Sequence, residues 1–199
     1  MPLATYSDLQ AAVASWLARD DLTAVIPDFI VLFEAVANRR LRVRQMEADG
    51  VLTPANGTIT LPSDFLSPRR VTVLGDPQVT LDHVAPDYLY RAYPTAAAGT
   101  PQVYTIAGSE LRIRPTTTTP VNLAYYQRIP ALSSSVNWLF SAHADLYLFG
   151  ALTEAQAFMA DGEKAALWKG RRDELFAEVE ALSEKAKAAG QIRVMGTVV

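Results

Sequence analysis

Apolar residues recur along this chain in two rhythms, and the switch between them divides it into three parts. Over residues 7–44 the spacing is helical. Over 51–127 short runs alternate apolar and polar residues, as half-buried strands do, and from 136 onward the helical spacing returns. Ala48-Asp49-Gly50 and Ile129-Pro130-Ala131-Leu132-Ser133-Ser134-Ser135, both of turn and linker composition, mark the two transitions. The pattern predicts an α+β chain: a helical part over 1–48, an inserted antiparallel β-module over 49–130, a second helical part over 131–190 and a tail over 191–199.

The first helix is expected to start at Ser7. Ser7-Asp8-Leu9-Gln10 has the capping-box form, in which the hydroxyl and the Gln amide satisfy orphan backbone donors. Leu9, Val13, Trp16 and Leu17 then form one apolar face. In the second helix Pro27 suits the first turn, and Phe29, Leu32, Phe33, Val36 and Val43 form the expected buried stripe. It ends in the basic run Arg39-Arg40-Leu41-Arg42-Val43-Arg44. Arginines at Arg39, Arg40, Arg42 and Arg44 can clamp phosphates in a lumen. At a helix C-terminus they also offset the macrodipole, or meet an acidic surface at a subunit interface.

Strands are predicted over 58–61, 70–74, 79–81, 103–106, 111–113 and 121–126. The clearest hairpin turns on Gly108-Ser109, with glycine where a type II′ turn requires it. Pro94 to Pro101, small residues closed by prolines, reads as a long exposed loop.

Over 138–159 apolar residues occupy almost every face of the expected helix, the pattern of a helix buried on all sides. Few other helices are available to surround it, so neighbouring copies are the expected source of cover, with Trp138, Leu148, Phe149 and Leu152 as candidate interface positions. The last helix is predicted from an Asp161 cap to Gly190, with a coiled-coil-like seam of Trp168, Arg172, Leu175, Val179, Leu182, Ala186 and Ala189 that is broken once, by Arg172. Beyond it, Ile192, Val194, Met195 and Val198 make an apolar, strand-like tail without an adjacent strand. Such a segment can add itself to another protein's sheet or groove, fold back on its own chain, or stay disordered.

Composition narrows the chemistry. Among 199 residues, 18 Lys+Arg stand against 21 Asp+Glu, a net charge of −3 that supplies no global basic field for nucleic acid or anionic membranes. The absence of cysteine excludes disulfides and thiolate sites. The N-terminus has neither a basic leader nor an apolar h-region, so no export signal is expected there, and no apolar run is long enough to span a bilayer. The glycines form neither GxxxxGK[ST] nor GxGxxG. His83 and His143 are far apart in sequence, and no nucleophile elbow marks a serine. Glu154, Asp161, Glu163, Glu174 and Glu178 could formally supply the carboxylate pair of a glycosidase, but they fall on or near helices whose exposed faces would carry acids anyway.

An ordered series of fragments points further. Leu61-Pro62-Ser63-Asp64-Phe65, the strand Arg70 to Gly75, the run Gly99 to Gly108, the run Leu123 to Leu132, Asn137-Trp138-Leu139 and Asp145-Leu146-Tyr147-Leu148-Phe149-Gly150-Ala151-Leu152 together resemble the head-to-tail adaptor (connector) proteins of tailed bacteriophages. The resemblance implies a mainly antiparallel helical bundle with an inserted β-module. It implies a homo-oligomeric ring, a dodecamer of about twelve copies, beneath the portal protein. The tail would dock on the portal, a downstream tail or nozzle protein would bind the far side, and DNA would pass through without specific contacts. The expected location is the neck of the virion, after assembly in the host cytoplasm, with no catalytic residue, metal, cofactor or membrane involved. A particle-borne cell-wall hydrolase with a structural role is the second reading.

Overall fold

The structure, a computed structural model, describes residues 3–19 and 21–188. It is α+β, and its described residues form six α-helices and two four-stranded sheets. Residues 46–128 make one compact unit, and the described residues of 1–45 and 129–199 make the other.

The helical unit contains α1 (Tyr6–Leu17), α2 (Ile26–Arg40), α4 (Trp138–Ala142), α5 (Ala144–Phe158) and α6 (Gly162–Ala188). The capping box of α1 sits at Thr5, two residues before the predicted start: the Thr5 hydroxyl accepts the Asp8 N–H at 3.1 Å, and the Asp8 carboxylate accepts the Thr5 N–H at 3.0 Å. Leu9, Ala12, Val13 and Leu17 are buried, whereas Trp16 remains 52% exposed.

In α2, Pro27 occupies the first turn as expected. The buried positions are Ile26, Phe29, Ile30, Phe33, Glu34 and Ala37. Leu32 points outward and Val36 is half-buried. Val43 is buried, but beyond the helix end at Leu41. With apolar residues at so many positions, periodicity allows two faces, and the one that turns Glu34 inward is the one buried.

The single helix expected over 138–159 is broken at His143, whose φ of −141° and ψ of 59° separate α4 from α5. The cause is tertiary. Asn137 Nδ2 donates to the Tyr147 hydroxyl at 2.7 Å. Ten residues of continuous helix would rise about 15 Å, farther than the two side chains span.

Asp161 caps α6, its carboxylate accepting the Lys164 N–H at 3.1 Å. The buried row is Arg172, Phe176, Val179 and Ser183, rotated from the predicted seam so that Leu175 is half-buried and Leu182 exposed. Ala186 is exposed, and Ala189 and Gly190 lie outside the described residues. Phe176 packs on Phe33, with ring centroids 6.0 Å apart, and the Ser183 hydroxyl accepts the Arg44 N–H at 3.1 Å. Arg172 is accommodated inside by Glu154 at 3.6 Å and Asp173 at 3.2 Å.

The second unit contains β1 (Glu47–Leu52), β2 (Thr58–Thr60), β3 (Phe65–Val73), β4 (Val79–Thr80), β5 (Asp82–His83), α3 (Pro86–Ala92), β6 (Val103–Ala107), β7 (Glu110–Arg114) and β8 (Val121–Gln127). The strand orders are β1-β8-β3-β4 and β2-β7-β6-β5. Val71, Leu111, Ile113, Val121 and Leu123 are fully buried in its core, with Ile59, Tyr104 and Tyr125 around them. The β6–β7 hairpin turns at Gly108-Ser109, with Gly108 at φ +62°, a conformation that glycine adopts without strain.

Three features depart from expectation. Ala48-Asp49-Gly50 lies within β1 instead of in a boundary turn, because its register is fixed by pairing with β8. The β5–β6 pair is parallel, unlike the others. The short helix α3, opening on Pro86, had no counterpart in the predicted elements.

Candidate assembly surfaces

The basic run at the end of α2 does not act as one patch. Arg40 is taken up within the helical unit: Nε donates to Glu180 at 3.0 Å, Nη1 to Asp173 at 3.1 Å, and the guanidinium lies 4.6 Å from the centroid of the Phe176 ring. Arg42 Nη1 donates to the Asn38 carbonyl at 2.9 Å. Arg39 and Arg44 are exposed, and Arg39 has no ion-pair partner among the described residues. Helix termination at Arg40 divides the run, because the backbone turns extended at Leu41.

The apolar perimeter of α5 is covered by the chain's own helices α1, α2, α4 and α6. Leu148 is 6% exposed and Leu152 1%, whereas Trp138 and Phe149 are half-buried. The expectation that this helix needs neighbouring copies for cover therefore loses its basis at Leu148 and Leu152. Phe149 stacks on Trp168 at 5.6 Å, and Trp16 meets both rings edge-on at 5.9 and 5.5 Å. Outward apolar side chains occur instead on α2, at Val31 and Leu32, and on α6, at Leu167 and Leu182. Their sequence signal was an excess of apolar positions beyond what one buried stripe uses.

Periodicity also missed a buried polar hub. Glu34, on the inward face of α2, accepts the Leu132 N–H at 2.7 Å and the Tyr147 hydroxyl at 3.3 Å. Asn38, one turn on, accepts the Ile129 N–H at 2.8 Å. Asn137 donates to the Pro130 carbonyl at 2.8 Å as well as to Tyr147. Burial raises the Glu34 carboxyl above its ordinary value, against the hydrogen bonds from Leu132 and Tyr147, which lower it. Burial likewise raises the Tyr147 phenol, with Glu34 adding to the rise. The hub fixes residues 129–132 against α2. The signal for it was an acidic residue inside an otherwise apolar helix face.

Three of the five carboxylates considered for catalysis, Glu154, Asp161 and Glu174, have structural partners. Glu154 pairs with Arg172, and Glu174 pairs with Arg171 at 3.1 Å. Asp161 caps α6, and the Lys164 backbone and side chain hold its carboxyl below the usual range. His83 packs on Tyr104 at 5.1 Å, in the unit that does not contain His143. Among the described residues, no group of three or more His, Asp or Glu side chains is placed to hold a metal ion, and no helix is long and apolar enough to cross a membrane. The tail positions Ile192, Val194, Met195 and Val198 lie outside the described residues.

Compared with known families, the chain matches the one described as SU10 adaptor protein over residues 4–195, a span that takes in both helical segments and the β-unit between them. No curated protein matches it.

Proposed function

Because the chain belongs to the SU10 adaptor protein family, a family of phage head-to-tail adaptors, we propose that it forms a ring of about twelve copies beneath the portal, joins the portal to the tail and conducts DNA. The observation that carries this reading is the length of the family match, residues 4–195. The role is one of assembly: lateral contacts close the ring, the segment 191–199 docks on the portal, and the opposite side receives the next tail component. A net charge of −3 suits a conduit that must not retain phosphate.

The tail assignment rests on its chemistry. Gln191 to Val199 alternates apolar and polar residues around Ile192 and Val194, and an extended segment of that kind gains backbone hydrogen bonds when an edge or groove accepts it. Single contacts of this sort are weak, but repetition around a ring makes them effective through high local concentration. The test is co-sedimentation with portal rings of the full chain and of a chain lacking residues 191–199. The full chain is expected to bind as a ring and the shortened one to stay in the supernatant. Equal binding by both would move the docking surface elsewhere, and no binding by the full chain would defeat the adaptor reading itself.

A further inference from the structure

We infer that neighbouring copies join through two unlike stripes of the helical unit, the outward stripe of α2 (Leu32, Val36, Arg39) in one copy meeting the flank of α6 (Leu175, Glu178), with Phe149 behind it, in the next. This deepens the ring reading and rests on it.

On α2, Leu32, Val36 and Arg39 follow one another at helical spacing along one side. Leu32 is 51% exposed, Val36 half-buried and Arg39 exposed. On the other stripe, a groove of about 330 Å³ runs between α5 and α6, lined by Phe149, Arg171, Glu174, Leu175 and Glu178. Leu182, one heptad beyond Leu175, extends the apolar line and is 57% exposed. Leu32 and Leu182 are exposed, and Val36, Leu175 and Phe149 are half-buried, so both stripes leave apolar area uncovered by the chain itself.

Charge selects the occupant. Arg171 and Glu174 compensate each other at 3.1 Å, which leaves Glu178 as the acid of the groove without an ion-pair partner among the described residues. On α2, Arg39 is the base without one. A second copy of the same stripe offers neither charge an unengaged counter-charge, because the Arg171 of the groove is already paired with Glu174 and α2 presents Arg39 alone. If the unlike stripes meet, Arg39 is brought to Glu178 and Leu32 to Leu175 and Phe149. A contact between unlike surfaces is heterologous, so it repeats from copy to copy and generates a ring when the rotation closes.

The test uses the full chain with portal rings present. Arg39→Glu and Glu178→Arg are each expected to lower the fraction assembled into rings at least tenfold by native mass spectrometry, and the double swap to restore it. The chain has no cysteine, so a Leu32→Cys, Leu175→Cys chain reports the contact independently of charge. Under oxidation it should give a ladder of covalent multimers, while each single cysteine chain gives none. A wild-type ring combined with undiminished single variants, an unrescued double swap, or a ladder that stops at dimer would overturn this contact and leave the ring reading standing. Absence of a wild-type ring on the portal would remove the ring reading and this inference together.

Discussion

Gly150 on α5 lies directly against the Phe33 ring of α2: a methyl group built on Gly150 would sit 2.0 Å from Phe33 Cδ2 and 2.4 Å from both Cγ and Cε2. Phe33 is fully buried and held on its other sides by Tyr147 at 4.9 Å and Phe176 at 6.0 Å, so the ring has little room to yield. Gly150→Ala gains about 1 kcal/mol of helix propensity but incurs roughly 1–3 kcal/mol of overpacking, with the upper end expected at this distance. We expect a net loss of about 1–2 kcal/mol and a thermal midpoint lower by several degrees. Adding Phe33→Leu should return part of the loss. A midpoint unchanged in Gly150→Ala would mean that the two helices separate freely.

The Glu34 hub predicts a pH signature. Burial raises the carboxyl in the folded chain, so the folded state holds its proton more tightly than the unfolded state does. The stability this contributes is complete below the unfolded carboxylate range, near 4.3, and is lost as pH rises through the folded value. Glu34→Gln keeps an acceptor for Leu132 and Tyr147 without a charge to desolvate. Its stability relative to wild type should therefore improve between about pH 4 and pH 7. Glu34→Ala, which leaves the Leu132 N–H without its acceptor, should lose about 1–3 kcal/mol. Urea midpoints at the two pH values check both, and a Gln chain that falls behind wild type on going from acid to neutral pH would contradict the assignment.

Leu148 and Leu175 should separate packing from assembly. Leu148 is 6% exposed inside the helical unit, so Leu148→Asp buries a charge and removes core contacts at a cost of about 3–5 kcal/mol. The chain is expected to unfold or fail to accumulate. Leu175→Asp, at the rim of the groove, should keep the circular dichroism and thermal midpoint of the wild type while losing ring assembly. A folded Leu148→Asp chain that remains monomeric would return that position to the subunit interface.

What the sequence made legible was governed by local chemistry. The β6–β7 hairpin was visible because its turn needs a glycine at Gly108, and β8 because its inward residues Val121, Leu123 and Tyr125 alternate cleanly. The features that stayed hidden depend on partners remote in the chain. β1 reads Glu-Ala-Asp-Gly-Val-Leu and is a strand through its register with β8. The break at His143 follows from the bond between Asn137 and Tyr147, and the rotation of α6 from Phe176 meeting Phe33 and Arg40. Among the candidate site residues, the arginine run was evident as a composition, yet its division between Arg40, paired with α6, and Arg39, without an ion-pair partner among the described residues, required α6.

The pairing of β1 with β8 has a consequence for how such a gene can change. Glu47 stands opposite Tyr126, so the stretch from 46 to 128 begins and ends on adjacent strands, about 5 Å apart. To the helices on either side of it in sequence, a stretch that departs and returns at neighbouring positions amounts to a short connection, whatever its contents. Recombination could exchange it as a cassette, and insertions could enlarge it, without rewriting the residues that hold α2, α5 and α6 together. Residues such as the Phe33 and Gly150 pair, packed within the helical unit, have no such freedom.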